Sequence, residues 1–113
     1  MANSYLLQVA YTADTWASLV AEPKNRIEAV RPAVEKLGGK ILHAWFAFGD
    51  YDLVAVLEMP GNVEAAAFSL AASAGGAVRS IKTTPLLSTE EGLEALKKAG
   101  TSGYKAPKRA ARA

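Results

Sequence analysis

The residues of this chain that could do chemistry are few and lie close together. His43 is the only histidine, Trp45 and Glu58 follow it within sixteen positions, and Gly49-Asp50-Tyr51-Asp52 sets two carboxylates around one tyrosine. An imidazole titrates near neutrality and suits a general base; Glu58 could orient it and Trp45 could stack on a flat substrate. Such a trio fits proton transfer on a small aromatic or carbonyl compound. The plainer account of His43 is a hydrogen-bonded interface histidine. In the tetrapeptide, Gly49 permits positive φ, Asp50 suits a turn and Tyr51 opens a strand, so a turn is its simplest reading. Its functional reading is that backbone N–H groups and the Asp50 or Asp52 carboxylate meet a ligand's amine or hydroxyl at a subunit boundary. Asp52 is the sharper candidate: by strand alternation it points to an open sheet face, where a lone carboxylate is costly and calls for Arg79, Lys82 or a ligand cation. Tyr11 and Trp16 flank the loop after the first strand and are candidates to line an apolar cavity, core packing being the simpler role.

What is missing narrows the chemistry. One histidine and no cysteine leave no multi-histidine or thiolate metal site, no disulfide framework and no cysteine nucleophile, so the expectation is no metal and no cofactor. There is no Gly-x-Ser-x-Gly elbow. The paired glycines follow helices, whereas phosphate-binding glycines precede one. No export signal and no run of about eighteen apolar residues is visible, so a cytoplasmic location without membrane association is expected.

With 113 residues, half of them hydrophobic, the chain suits one domain with a real core. The net charge of +2 conceals an asymmetry. Lys97, Lys98, Lys105, Lys108, Arg109 and Arg112 face no acid in their stretch, which leaves seven cations against eleven acids in the body. Residues 1–100 therefore read as the domain. Residues 101–113 read as a basic tail expected to be disordered and able to touch nucleic acid only weakly, since it offers a single stacking group, Tyr104.

Four strands are expected: Ser4–Tyr11, Lys40–Phe48, Tyr51–Met59 and a run from Ala77 to Leu87. The middle pair forms a hairpin with its bend at Gly49-Asp50. Between the first two strands, Asp14 is expected to cap a short helix through Trp16, Leu19 and Val20. A second helix is expected from Pro23, with Ile27, Val30, Val34 and Leu37 on one face, a kink at Pro32 and a stop at Gly38-Gly39. Asn62 is expected to cap "VEAAAFSLAASA", which ends at Gly75-Gly76. Ser88 and Glu91 make a capping box for a last helix. This order is a βαβ unit used twice, an α+β ferredoxin-like βαββαβ with an antiparallel four-stranded sheet and an extra C-terminal helix.

Alternation assigns the two sheet faces. Leu42, Ala44, Phe46 and Phe48 fall with Tyr51, Leu53, Ala55 and Leu57, a face expected under the helices. Ile41, His43, Trp45 and Ala47 fall with Asp52, Val54, Val56 and Glu58 on the other, which is too apolar for bulk water. A second copy related by a two-fold axis is the simplest cover, so a homodimer or higher oligomer is expected. The helix "EAAAFSLAASAGG" is poor in bulk, which means either close approach to the sheet or room left above it.

The stretch "GKILHAWFAFGDYDLVAVLEMP", with the glycine pair before it and the small-residue helix after it, resembles the GYD-domain family over about Tyr5 to Gly100. The resemblance implies a small bacterial protein and a dimeric α/β barrel with two facing sheets, and it assigns no activity. The bend and the apolar strand after it are also similar to the effector-binding half of Lrp/AsnC regulators, where that loop helps hold an amino acid between subunits; the helix-turn-helix half is lacking here. Three functions are thus in view. The first is a non-catalytic small-molecule-binding or regulatory module whose ligand site lies near the Gly49-Asp50-Tyr51-Asp52 hairpin at a subunit boundary, with Trp45, Trp16, Tyr11 and Arg79 as further candidates to touch the ligand. The second is a cofactor-free enzyme using His43 and Glu58 for proton transfer, isomerisation or oxygenation, as some proteins of this barrel architecture do. The third is a structural oligomerisation protein.

Overall fold

The computed structural model describes residues 3–107; Lys108, Arg109 and Arg112, and with them the expected disorder of the distal tail, lie outside the described residues. Along the chain run β1 (Asn3–Tyr11), α1 (Ala13–Ala21), α2 (Arg26–Lys36), β2 (Lys40–Phe46), β3 (Leu53–Met59), α3 (Asn62–Ala74), β4 (Val78–Leu86) and α4 (Thr89–Gly100). The strands form one antiparallel sheet in the order β2-β3-β1-β4, the ferredoxin-like arrangement of two interleaved βαβ units with a C-terminal helix added. Among the described residues no helix is long and apolar enough to cross a membrane.

Strand alternation builds the core. Tyr5, Leu7 and Val9 of β1 and Leu53, Ala55, Leu57 and Met59 of β3 are buried against Val34 of α2 and Ala65 and Phe68 of α3. Two polar contacts pin α3 over this layer: the Tyr5 hydroxyl donates to Asn62 Oδ1 at 2.6 Å, and the Ser69 and Thr83 hydroxyls lie 2.6 Å apart. The hairpin bends at Gly49-Asp50, with Gly49 at φ +144°, in a six-residue connection from Ala47 to Asp52.

Several local expectations are corrected. α1 is capped by Thr12, whose hydroxyl accepts the Thr15 N–H, in place of Asp14. α2 starts at Arg26 under an Asn25 cap, three residues beyond Pro23, and runs on through Pro32 to Lys36. α3 is preceded by Gly61 without a side-chain cap, because Asn62 sits inside the helix and is engaged by Tyr5. The Ser88–Glu91 capping box forms. Gly38 takes φ +88° after α2, and Gly39 lies so close to Met59 and Glu58 that a Cβ there would stand 2.6 Å from the Glu58 carbonyl oxygen.

The face assignment holds from Phe46 back to His43, then breaks. The β2–β3 register steps from His43↔Val56 to Ile41↔Leu57, leaving Leu42 as the extra residue of a bulge. Ile41 is thereby carried to the helix side, where it packs on the core, and Leu42 is 42% exposed. Phe46 and Phe48, expected beneath the helices, are 61% and 99% exposed. Both lie at the hairpin end of an edge strand, beyond the cover that α2 provides.

Candidate functional site

The alanine-rich C-terminal half of α3, with the glycine that follows it, leaves space. Between α2, α3 and the sheet lies a cavity of about 310 Å³, more enclosed than the other depressions of the surface described below. Its floor is Leu7, Val9, Leu53 and Ile81, Ile27 and Val30 close one side, and Phe68, Ala71, Ala72 and Gly75 form the roof. Short side chains at three of those four roof positions bring no bulk down onto the strands, so the choice between close packing and a void falls to the void. Only two lining residues carry hydrogen-bonding side chains, Tyr11 and Arg26.

Arg26 is the first residue of α2 and also lines a shallower groove with Thr15, Ser18, Glu22 and Lys24, so it stands between the cavity and the surface. Its Nε is shielded from solvent without a hydrogen-bond acceptor, and among the described residues it enters no ion pair. A cation at the first helical position also runs against the helix dipole, which favours acids there. With α2 expected from Pro23, Arg26 does not stand out in the sequence as a first helical residue; the shifted start brings it into view.

Tyr11 is the hinge of the site. Its ring packs edge-on against Trp16 with centroids 5.4 Å apart. Burial pushes its hydroxyl pKa up, the neighbouring Arg26 guanidinium opposes this, and the Asp52 charge adds to the rise. The hydroxyl is therefore a donor at neutral pH. Trp16 itself lines a separate shallow pocket with Leu19, Val20, Pro23 and Phe46.

Asp52 has a different partner from the one expected. It is buried, and its Oδ2 accepts the Tyr11 N–H at 2.8 Å, while its own N–H donates to the Val9 carbonyl at 2.8 Å. The β1–β4 register shifts at Ala10/Tyr11, so the Asp52 carboxylate takes over a backbone donor at the irregularity. Arg79 is the extra residue of that shift on β4, exposed, and neither it nor Lys82 is ion-paired to Asp52. Gly49 and Asp50 are exposed at the bend and Tyr51 is half-buried beside it.

His43 and Trp45 lie on the open face opposite Val56 and Val54, as alternation requires, and their rings stack with centroids 5.8 Å apart and 20° between planes. Glu58 shares the strand face of Val56 but stands opposite Lys40, and no hydrogen bond joins it to His43. The second large depression, about 610 Å³, is an open trough over edge strand β2, lined by Pro23, Arg31, Leu42, His43, Trp45 and Phe46 among others. The structure thus gathers Tyr11, Asp52 and, around the ring of Tyr11, Trp16; it sets His43 and Trp45 apart on the other side of the sheet.

The family model of the GYD domain matches residues 5–96. The chain belongs to the GYD family. No curated protein and no solved structure matches this GYD domain. The matched span runs from the first buried residue of β1 into α4 and takes in every residue of the cavity wall.

Proposed function

We propose that this GYD domain is a non-catalytic small-molecule-binding module, with its ligand in the cavity beneath α3 and the protein acting as a homodimer joined through the open sheet face. The observation that carries the reading is the cavity itself: ligand sites are concave, mostly apolar and furnished with a few convergent polar groups, at volumes of about 300–1,000 Å³. At about 310 Å³, with an apolar wall and the Tyr11 and Arg26 side chains at one end, this one meets that description at its small limit. The hairpin keeps a part in the reading. Through Asp52 it fixes the backbone of Tyr11, so the Gly49-Asp50-Tyr51-Asp52 segment positions a wall of the cavity from outside. His43 is assigned no proton-transfer role, since no acid is bonded to it.

The dimer reading draws on the open face, where Leu6, Val54 and Val56 are half-buried and Trp45 is 55% exposed. Burying a few hundred Å² of apolar surface per copy at about 25 cal/mol per Å² favours association before its entropic costs. Native mass spectrometry of protein purified from its own host tests both parts: the expected result is a dimer retaining a small organic molecule. Ala72→Leu, which puts bulk into the roof, is expected to release that molecule while leaving the dimer. A ligand retained undiminished by Ala72→Leu would place the site elsewhere.

A further inference from the structure

We propose that the cavity takes a small apolar molecule bearing one anionic group, a monocarboxylate of about ten heavy atoms, with its hydrocarbon body under α3 and its carboxylate on the Arg26 guanidinium. The inference rests on the binding-module reading and adds the chemical class. Size comes from volume: at about 30 Å³ per water-sized unit, a space of this size holds on the order of ten heavy atoms. Hydrophobicity comes from the wall, where Leu7, Val30, Phe68 and Ile81 offer nothing to a polar body.

The charge comes from Arg26. A guanidinium presents a planar fork of donors that matches a carboxylate, and a buried N–H without an acceptor is costly. Here the Nε is buried and unaccepted, no acid within the described residues is ion-paired to the side chain, and the residue occupies a helix position that disfavours cations. A ligand carboxylate answers all three. The Tyr11 hydroxyl, a neighbour of the Arg26 guanidinium, is a second donor at the same end. Asp52 is the one nearby acid, and its carboxylate is engaged by the Tyr11 N–H. Arg26 borders both the cavity and the outer groove, so the head group would sit at the mouth and the body would enter first.

The test compares probes of one chain length, octanoate, its isostere octanamide, and octylamine, by calorimetry and thermal shift on the wild-type protein, Arg26→Met and Ala72→Leu. The expected result is that octanoate binds wild type about ten- to a hundredfold more tightly than octanamide, the range of a charge-assisted hydrogen bond. Octylamine is expected to be the weakest. In Arg26→Met that preference is expected to collapse, with octanamide unchanged; in Ala72→Leu octanoate binding is expected to vanish. Equal binding of octanoate and octanamide to wild type would overturn the anionic class and leave the cavity as a ligand site. A preference for octanoate that survives Arg26→Met would overturn the assigned anchor. No binding of any probe to wild type would overturn both this inference and the module reading. If Arg26→Met fails to fold by circular dichroism, Arg26→Gln takes its place with the same expectations.

Discussion

A single buried carboxylate holds the site's geometry. Asp52 accepts the Tyr11 N–H where the β1–β4 ladder loses register, so its loss strands a backbone donor. Asp52→Ala is expected to cost about 1–3 kcal/mol in urea unfolding, and Asp52→Asn, which keeps an acceptor oxygen, distinctly less. Tyr11 supplies a pH signature. Its hydroxyl pKa lies above the ordinary value of about 10, so the native state holds the proton more tightly than the unfolded chain. The stability this contributes is complete below about pH 10 and is lost as pH rises through the native pKa. Wild type minus Tyr11→Phe, measured by urea unfolding from pH 8 to 11, is therefore expected to be flat at first and to fall above about pH 10. A difference that rises there would show that burial does not govern this group.

At the level of elements, the sequence made most of the fold legible, and the exceptions have physical causes. Helices and strands declare themselves through periodicity and punctuation, which is why the element order, the hairpin bend and the α4 capping box could be read directly. A bulge adds one residue with no compositional mark, so Leu42 and Arg79 looked like ordinary strand positions and alternation set Ile41 on the wrong face. Likewise, parity could not show that Asp52 turns to a backbone donor left by the second bulge. The cavity was half legible: α3 is visibly small, but whether small residues mean contact or space depends on where the helix lies over the sheet. Glycines at two places separate packing from propensity. Gly39→Ala drives a methyl group onto the β3 backbone and is expected to cost at least about 1–3 kcal/mol, whereas Gly92→Ala in α4, with open space around it, is expected to raise helix stability by about 0.5–1 kcal/mol. Chemical unfolding of the first and helicity by circular dichroism of the second check the pair.

For the whole molecule, the layering is one-sided: helices α2 and α3 cover one face of the sheet, and the other carries Leu6, Trp45, Val54 and Val56 with no covering element among the described residues. Val56→Lys places a charge at the middle of that face and is expected to weaken self-association at least tenfold in sedimentation velocity, leaving the fold of each copy intact. Trp45→Ala, at the edge strand, is expected to act in the same direction. Unchanged association in both variants would move the contact to another surface, the exposed edge of β2 with Leu42, Phe46 and Phe48 being the next to test.

The helix α4 spans twelve residues, none of them buried, with Leu93 and Leu96 turned outward at 54% and 72% exposure. An isolated helix of that length is marginal in water, even with a good cap at its start. Its amides are therefore expected to trade protons for deuterons within seconds, far ahead of those in the buried strands β1 and β3. The helix would then act as a built-in isotope clock, its fast labelling set against the slow labelling of the sheet it follows.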